Sequence, residues 1–398
     1  MKFSVIITEY NPFHNGHRHQ IESVRNSGSD FVIIVMSGDF TQRGEPAITD
    51  KYSRTLMALK NGADLVIELP VAYATADAGR FALGGVSILN SLGVVDNIAF
   101  GVEAGNEEFA PKIADFLSSA PASYYEILEN NLKLGHSYPV ARDKALGKCM
   151  PDYDSGKMAG SNTILAIEYC QAINKLNSSI KPLPITRLGS DYNDKSIDEE
   201  GFSSASAIRN LVSLGDLDYE LLNSHMPECC VGILKDSNVI LPEDMSNLLH
   251  YKLITCENYR DYLDISDSFS DRIFSLREEY ADYESFCNLL KSKNITHASV
   301  RRLLSHILLD IKCDVPDTVP YARVLGFRKD SSNLLSEIKA HSSIPMITKM
   351  ADARNQISGP ASDLLAADVK AANIYESIVT DKYGLKRPNE FTRGVVII

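Results

Sequence analysis

Short apolar runs alternate with amphipathic stretches along the first third of the chain, and this alternation constrains the fold more than any other feature. The runs are rich in Val and Ile, as strands covered on both faces are, and span residues 3–7, 31–36, 65–69 and 94–100. The stretches between them have helical spacing and cover residues 17–27, 50–61 and 79–92. This alternation predicts an α/β fold with a parallel sheet and a ligand site at the carboxyl ends of its strands.

The character of the sequence changes near residue 215, beyond which helical stretches are longer and more charged. The clearest of them covers residues 298–312, where apolar residues recur at helical spacing after Thr296, a candidate N-cap. A chain of 398 residues also exceeds the usual size of one hydrophobic core. We therefore predict an α/β domain over residues 1–215 and a mainly helical domain over residues 216–398.

Composition argues against several functions. The N-terminal apolar run is too short for a signal peptide, and no later segment approaches the ~20 apolar residues of a membrane span. The seven cysteines are scattered without a Cys-x-x-Cys pair, which favours reduced thiols over disulfides or a zinc site. We expect a cytoplasmic protein. Because the net charge is -12, a surface that binds nucleic acid must be a local basic patch.

Residues 7–20, directly after the first apolar run, carry the most chemical information. Pro12 favours a turn, Gly16 permits close backbone approach, and a helix is predicted from His17. The free N–H groups at a helix start attract anions, and two imidazoles three residues apart can donate hydrogen bonds there. We predict that His14 and His17 stabilise the charge that builds on a triphosphate as pyrophosphate leaves.

Two other interpretations of this loop stay open at this point. His14, His17 and His19 could hold a metal ion, although His-x-x-His-x-His lacks the spacing of familiar zinc sites and has no cysteine nearby. The histidines could also belong to a turn that has only a structural role. The strand-like run before the loop and the helical run after it favour binding of a nucleotide.

Four segments carry a resemblance to a known family. Residues 8–17 resemble the signature of the HIGH-motif nucleotidyltransferase superfamily, which includes pantetheine-phosphate and nicotinate-nucleotide adenylyltransferases and class I aminoacyl-tRNA synthetases. Three further segments narrow the match: MSGDFTQRGEPA at 36–47, GADLVIELP at 62–70 and YARVLGF at 321–327. With them, nearly the whole chain resembles the bacterial tRNA(Met) cytidine acetate ligase family. The chain has Asp39 where members often have Asn, and Ser206 where they often have Thr.

The resemblance implies a Rossmann-like nucleotidyltransferase domain followed by a mostly α-helical, tRNA-binding domain. It implies that ATP, accompanied by Mg²⁺, activates acetate as acetyl-adenylate with release of pyrophosphate. The acetyl group then passes to N4 of the wobble cytidine of elongator tRNA(Met). The expected enzyme has no metal ligand from the protein, and neither a membrane nor DNA is an expected partner.

The resemblance also implies an ATP site, in which His14 and His17 are the expected catalytic residues. Its members are the loop and three later positions: Ile7, Thr8, Glu9, Tyr10, Asn11, Pro12, Phe13, His14, Asn15, Gly16, His17, Arg18, His19, Gln20, Gly101, Asn162 and Arg187.

The sequence around each of the three later positions fits a role in nucleotide binding. Gly101 ends a strand-like run and would let a nucleotide lie against the backbone, although a plain turn glycine looks the same. Asn162 stands ahead of a helical run, so it could cap that helix or bind a ribose or base. Arg187 follows a strand-like stretch, and its planar guanidinium suits a phosphate or an adenine.

Two more groups of residues are candidates near the nucleotide. Residues 203–209 resemble the Ser-Ser-Thr-x-x-Arg motif of many adenylyltransferases, in which hydroxyls and an Arg form a phosphate cradle; helix capping is the alternative. Three polar residues follow the second strand and could receive acetate or the tRNA base, or form a solvated loop: Ser37, Gln42 and Arg43.

Basic residues of the C-terminal half are candidates for contacts with the tRNA backbone, although each alone is typical of a solvated surface. They are Arg301, Arg302, Arg323, Arg328, Lys329, Lys386, Arg387 and Arg393. Two rival functions remain. A small-molecule adenylyltransferase of the pantetheine-phosphate or nicotinate-nucleotide type would share the loop but would not need the C-terminal half. A non-catalytic RNA-binding protein would not need an intact His-Asn-Gly-His.

Overall fold

A computed structural model of the chain describes residues 1–158, 160–187, 202–215, 219–293, 295–386 and 388–398. Within these residues, eight strands form one sheet. They are β1 (Phe3–Thr8), β2 (Phe31–Ser37), β3 (Leu65–Leu69), β4 (Asn97–Val102), β5 (Lys181–Thr186), β6 (Ala322–Phe327), β7 (Met346–Ile347) and β8 (Val396–Ile397).

Helices cover both faces of this sheet and make up most of the C-terminal half. They are α1 (Asn15–Asn26), α2 (Lys51–Lys60), α3 (Val71–Ala74), α4 (Ala78–Leu92), α5 (Phe109–Ser118), α6 (Ala122–Lys133), α7 (Tyr138–Cys149), α8 (Ser161–Lys175), α9 (Ala205–Ser213), α10 (Tyr219–His225), α11 (Glu228–Lys235), α12 (Ser246–Thr255), α13 (Asp267–Leu276), α14 (Tyr283–Leu290), α15 (His297–Leu309), α16 (Ser332–His341) and α17 (Pro360–Tyr383). Among the described helices, none combines the length and hydrophobicity that a membrane crossing requires.

The predicted parallel sheet is confirmed. The strands follow the order β5-β4-β1-β2-β3-β6-β7, and β1 to β5 all pair in parallel. The fourth run, expected from residue 94, becomes a strand only at Asn97. The residues before it return the chain from α4 to the sheet, and the Asp96 carboxylate accepts the Phe3 N–H at 2.7 Å. Parallel strands end at one edge, so the loops after β1, β2 and β4 meet there.

Helix ends follow the capping signals of the sequence. Gly93 ends α4 in the left-handed conformation, with φ of 73°. The Thr296 hydroxyl accepts the Ser299 N–H at 3.2 Å, so this predicted N-cap of α15 is confirmed. The helix ends at Leu309, earlier than expected, because Asp310 takes a left-handed φ of 60°.

The C-terminal half contributes strands to the same sheet, which the sequence patterns did not indicate. Strand β6 pairs antiparallel with β3, and Phe327 lies opposite Leu65. Strands β7 and β8 both pair in parallel with β6. The mainly helical C-terminal region is thereby joined to the α/β layer, and the proposed division at residue 215 stays a prediction.

A buried cluster of charges fixes this junction. Arg323 of β6 lies 2.8 Å from Glu68 of β3, and Lys51 of α2 lies 2.9 Å from Glu68 and 2.8 Å from Glu390. Burial alone would raise the pKa of Glu390, but Lys51 and Arg323 lower it to about 2. Since Arg323 is only 2% exposed, the expectation that it contacts a tRNA backbone is wrong.

Candidate active site

A cleft opens at the carboxyl edge of the sheet, with about 1200 Å³ of empty space including its open mouth. The expected ATP-site residues that line it are Ile7, Thr8, Glu9, Tyr10, Asn11, His14, Gly16, His17, His19, Gln20, Gly101, Asn162 and Arg187. The other polar residues that line it are Gln42, Thr186, Ser203, Ser204, Ser206 and Arg209. The structure therefore brings together segments that lie far apart in the sequence.

Four residues of the expected site do not line the cleft. Pro12 and Phe13 are buried parts of the loop that do not reach the cleft wall. Asn15 donates through its side-chain amide to the Ser224 carbonyl at 2.9 Å, and Arg18 pairs with an exposed glutamate. These residues support or flank the loop.

The two histidines cap the start of α1. The His14 Nδ1 accepts the Gly16 N–H at 3.1 Å, and the His17 Nδ1 accepts the His14 N–H at 3.3 Å. The helix thus begins at Asn15, two residues before the predicted start. No side chain fits at Gly16, where a Cβ would lie 2.9 Å from the His14 ring. Because both Nδ1 atoms accept, each neutral ring carries its proton on Nε2.

Both imidazoles are held neutral. Burial, with Arg187 and Arg209 nearby, lowers the pKa of His14 to about 3. Burial, His14 and Arg187 lower the pKa of His17 well below its usual value. The ring centroids lie only 3.7 Å apart, a separation at which two imidazolium ions would repel each other. At neutral pH the pair therefore offers two N–H donors without adding net charge.

Tyr10 turns the chain between β1 and the histidines. Its φ of 46° lies in the left-handed region that residues other than glycine rarely adopt. Its ring packs on Phe13 and on His17, with centroids 4.8 and 4.7 Å apart. Strained backbone of this kind is concentrated at functional sites, where the surrounding packing maintains it.

Arg54 of α2, which sequence reasoning missed, links the loop after β1 to the end of β2. It is fully buried and donates to the carbonyls of Glu9 at 2.7 Å and Ser37 at 3.0 Å. The Asn11 side chain adds a second link by accepting the Ile48 N–H at 2.7 Å. An arginine inside the apolar pattern of a predicted helix was the available signal, because a buried guanidinium needs several acceptors.

Gly101 and Arg187 act together. Gly101 lies within β4, opposite Ile185 of β5, so the interpretation as a plain turn glycine is wrong. A Cβ at this position would lie 3.1 Å from the Arg187 Cγ, closer than side chains usually pack. The glycine therefore leaves room for the stem of Arg187, whose backbone N–H donates to the Val102 carbonyl at 2.9 Å.

Asn162 is the second residue of α8, and Gly160 occupies the N-cap position without a side-chain cap. The interpretation of Asn162 as a helix cap is therefore wrong, and its side chain lines the cleft. A side-chain amide there can both donate to and accept from a ribose or a base.

The segment before α9 combines the two roles considered for it. The Ser204 hydroxyl caps α9 by accepting the Ala207 N–H at 3.1 Å. Arg209 donates to the Asn11 carbonyl at 2.6 Å and to the Ser206 hydroxyl at 3.2 Å. The cleft thus has two guanidiniums, from Arg187 and Arg209, which suit a polyphosphate.

Of the three polar residues considered near the end of β2, only Gln42 lines the cleft, while Ser37 is the last residue of the strand and is fully buried. As for the metal interpretation, the His19 Nε2 lies 3.4 Å from the Ser23 hydroxyl. In the described part of the chain, no three His, Cys, Asp or Glu side chains are arranged to hold a metal ion.

Several basic residues considered for tRNA contacts are engaged within the protein. Arg301 pairs with Glu45 and, at 2.6 Å, with Glu284. Arg393 pairs with Asp50 at 2.9 Å. Residues that are at least partly exposed are Arg302, Arg328, Lys329 and Lys386, and Arg387 lies outside the described residues.

The sheet, the capped histidine pair and the two arginines define a nucleotidyltransferase of the HIGH-motif class. Residues 1–389 match the family described as HIGH nucleotidyl transferase. The tRNA(Met) cytidine acetate ligase of Clostridium perfringens is 39% identical over 389 residues, covering 94% of this chain and 95% of the relative. That of Acetivibrio thermocellus is 38% identical and covers 100% of both chains. The chain belongs to the tRNA(Met) cytidine acetate ligase family.

Solved structures agree with this assignment. The apo crystal structure of Thermotoga maritima TmcAL matches with a TM-score of 0.94 at 31% identity, covering 100% of both chains. The crystal structure of the same protein bound with alpha-thio ATP matches with a TM-score of 0.90. The fold and the ATP use expected from the sequence are confirmed.

Proposed function

We propose that this chain is an ATP-dependent, AMP-forming ligase that acetylates N4 of the wobble cytidine of elongator tRNA(Met), with acetate as the acetyl donor. The observation that carries this proposal is likeness over the whole length: ligases of that name align with 94–100% of the chain. The additional C-terminal half, which a small-molecule adenylyltransferase would not need, is therefore shared with these relatives.

We assign ATP to the cleft at the carboxyl edge of the sheet. The two neutral imidazoles, through their Nε2–H groups, and the guanidiniums of Arg187 and Arg209 are donors that suit a triphosphate, and the start of α1 attracts its negative charge. Support also comes from Thermotoga maritima TmcAL, whose structure holds alpha-thio ATP. Asn162 would bind the nucleoside part, since an amide can pair with hydroxyls and ring nitrogens.

In the first step, a carboxylate oxygen of acetate attacks the α-phosphorus of ATP. The new O–P bond gives acetyl-adenylate, and the bond to the β-phosphate breaks to release pyrophosphate. Charge grows on the leaving phosphates, where the Nε2–H groups of His14 and His17 act as donors that need no reorganisation. Mg²⁺ would arrive with ATP and share this charge. Neither histidine acts as a nucleophile or a base.

In the second step, the N4 amine of cytidine attacks the acetyl carbonyl, AMP leaves, and the amine loses a proton. The amine is a poor nucleophile, so the enzyme must hold it against the mixed anhydride. We assign residues 216–398 to positioning the tRNA over the cleft. Since the proposed substrates are ATP and tRNA, we also propose that the enzyme acts in the cytoplasm.

The test is to incubate pure protein with ATP, acetate and elongator tRNA(Met), and to measure N4-acetylcytidine by nucleoside mass spectrometry. A matched tRNA with uridine at the wobble position is the control. We expect acetylcytidine only with the complete mixture, together with AMP and pyrophosphate. Absence of acetylcytidine would refute the proposal. Pyrophosphate release with phosphopantetheine or nicotinate mononucleotide, without RNA, would favour a small-molecule adenylyltransferase.

A further inference from the structure

Two residues that line the cleft each have a buried side-chain polar atom without a hydrogen-bond partner in the described part of the chain. The atoms are Nε2 of Gln42 and the hydroxyl of Tyr10. Buried polar atoms in native proteins are nearly always paired, so an unpaired donor in a cleft wall indicates an acceptor that arrives with a ligand. Tyr10 follows Glu9, whose carboxylate accepts the backbone N–H of Gln42 at 2.7 Å. The two side-chain donors therefore belong to segments that are linked by a hydrogen bond.

The loop that carries Gln42 is held rigidly. Within it, the Thr41 N–H donates to the Glu45 carbonyl at 3.0 Å, and the Gly44 N–H donates to the Thr41 carbonyl at 2.9 Å. The Gly44 carbonyl accepts the hydroxyl of Tyr283 in α14 at 3.2 Å. The backbone at Gln42 is therefore held in place before a ligand binds, which limits where its side chain can reach.

The loop passes very close to the backbone of α15 at Gly44. Its φ of 71° is in the left-handed region, and a Cβ there would overlap the backbone of Arg301 in α15. The side chain of Arg301 also pairs with Glu45 of the same loop. Helices α14 and α15 thus contact this loop directly, through Tyr283 and Arg301.

The chemistry of an amide donor separates it from the other donors of the cleft. Arg187 and Arg209 are cationic and suit phosphates, which remain anionic throughout the reaction. A carboxylate that must attack phosphorus would lose nucleophilicity in an ion pair with a guanidinium. A neutral N–H orients one carboxylate oxygen and leaves the other free to attack, and it still matches the neutral acyl oxygen of the adenylate.

We propose that Gln42, through Nε2, hydrogen-bonds one carboxylate oxygen of acetate and keeps that oxygen as the acyl oxygen of acetyl-adenylate. This assignment rests on the proposed function. The other carboxylate oxygen forms the bond to the α-phosphorus as the bond to pyrophosphate breaks, and the amide proton is not transferred. Gln42 is a positioning residue for the small carboxylate.

The test compares Gln42→Leu, which removes the donor at similar size, with Gln42→Glu, which places a like charge beside acetate. Gln356→Glu makes the same charge change at an exposed glutamine and is the matched control. Steady-state rates of acetylcytidine formation give KM for acetate, ATP and tRNA separately. We expect KM for acetate to rise about 10- to 100-fold in Gln42→Leu, since a bond to a charged group is lost. Gln42→Glu should show a larger rise, with KM for ATP within about twofold of wild type.

An unchanged KM for acetate in both variants would overturn this assignment. So would a rise confined to KM for tRNA, which would mean that the amide contacts the cytosine. Should Gln42→Leu fail to fold, as judged by its circular dichroism melting curve, the nearly isosteric Gln42→Glu decides the question. A wild-type enzyme inactive with acetate would defeat the proposed function, whereas an active one with unaffected variants defeats only the role of Gln42.

Discussion

Replacing His17 tests whether the imidazole pair acts on the phosphates or only caps α1. His17 makes one cap contact, accepting the His14 N–H at 3.3 Å, a long and therefore weak hydrogen bond. Its Nε2–H is the donor assigned to the leaving pyrophosphate. Three variants separate these roles. His17→Ala removes both, His17→Asn keeps a polar atom near the Nδ1 position, and His17→Gln keeps an N–H near the Nε2 position.

The expected loss follows from the single donor. Removing one preorganised donor from a developing oxyanion costs about 10²- to 10³-fold in kcat, or about 2.7–4 kcal/mol of transition-state stabilisation. Losing the weak cap should cost no more than about 1 kcal/mol of folding stability. We therefore expect a slow but folded His17→Ala enzyme, a similarly slow His17→Asn enzyme, and partial recovery of kcat in His17→Gln.

The assay is single-turnover pyrophosphate release at saturating ATP and acetate, with thermal melting of each variant measured alongside. His341→Ala, at an exposed histidine far along the chain from the loop, is the control and should match wild type. Because the pKa values of His14 and His17 are lowered, the wild-type rate should show no titration of these two residues between pH 6 and 8. A wild-type rate in His17→Ala, or a rate rising as His17 becomes protonated near pH 6.5, would refute the reasoning.

Three further predictions concern the site, the charge cluster and acid stability. Gly101→Ala places a Cβ 3.1 Å from the Arg187 Cγ, so KM for ATP should rise by about tenfold with little change in melting temperature; an unchanged KM would contradict the packing argument. Lys51→Met leaves Glu68 and Glu390 buried without this partner, so urea unfolding should show a loss of about 3–5 kcal/mol, and a loss below about 1 kcal/mol would disprove the role of the cluster. The pKa of His14 is about 3 in the folded protein and 6.5 for the free side chain. As the pH falls, the unfolded chain therefore takes up the proton first. The folding stability that is present above pH 6.5 is then lost as the pH falls toward 3. His14→Asn keeps a capping acceptor without a titrating ring, and its melting temperature should fall less than that of wild type between pH 6.5 and about pH 4; parallel curves would rule this out.

The parallel part of the sheet could be predicted because its signals are local. Each of β1, β2 and β3 is a buried apolar run next to a capped helix, so the pattern is readable within a short window. Strand β6 is equally buried, but its partner β3 lies more than 250 residues earlier in the chain. Arg323 even interrupts its apolar pattern, and the reason for that charge, Glu68, becomes visible only once the strands are paired.

At the site, too, local features could be predicted from the sequence, whereas contacts between distant segments could not. His14 and His17 occupy fixed positions in one loop, so spacing alone predicted two donors at a helix start. Which ring nitrogen donates, and that both rings are neutral, depends on the backbone caps and on Arg187 and Arg209, which come from distant segments. Likewise Arg54 appears in the sequence as one more cation, although in the fold it binds carbonyls of the loop after β1 and of the end of β2.

The histidine loop explains the use of ATP but not the choice of acceptor, since any nucleotidyltransferase with the HIGH motif needs the same donors. What differs must therefore lie in the parts of the cleft wall supplied by other segments. Gln42 belongs to a loop that α14 and α15 hold through Tyr283 and Arg301, both from the C-terminal half. The helical region would then act twice, first by fixing the loop that receives the small carboxylate and then by bringing the tRNA to it. A variant that loosens this contact, such as Tyr283→Phe, should weaken acetate use while leaving ATP binding intact, because no residue of α14 lines the cleft.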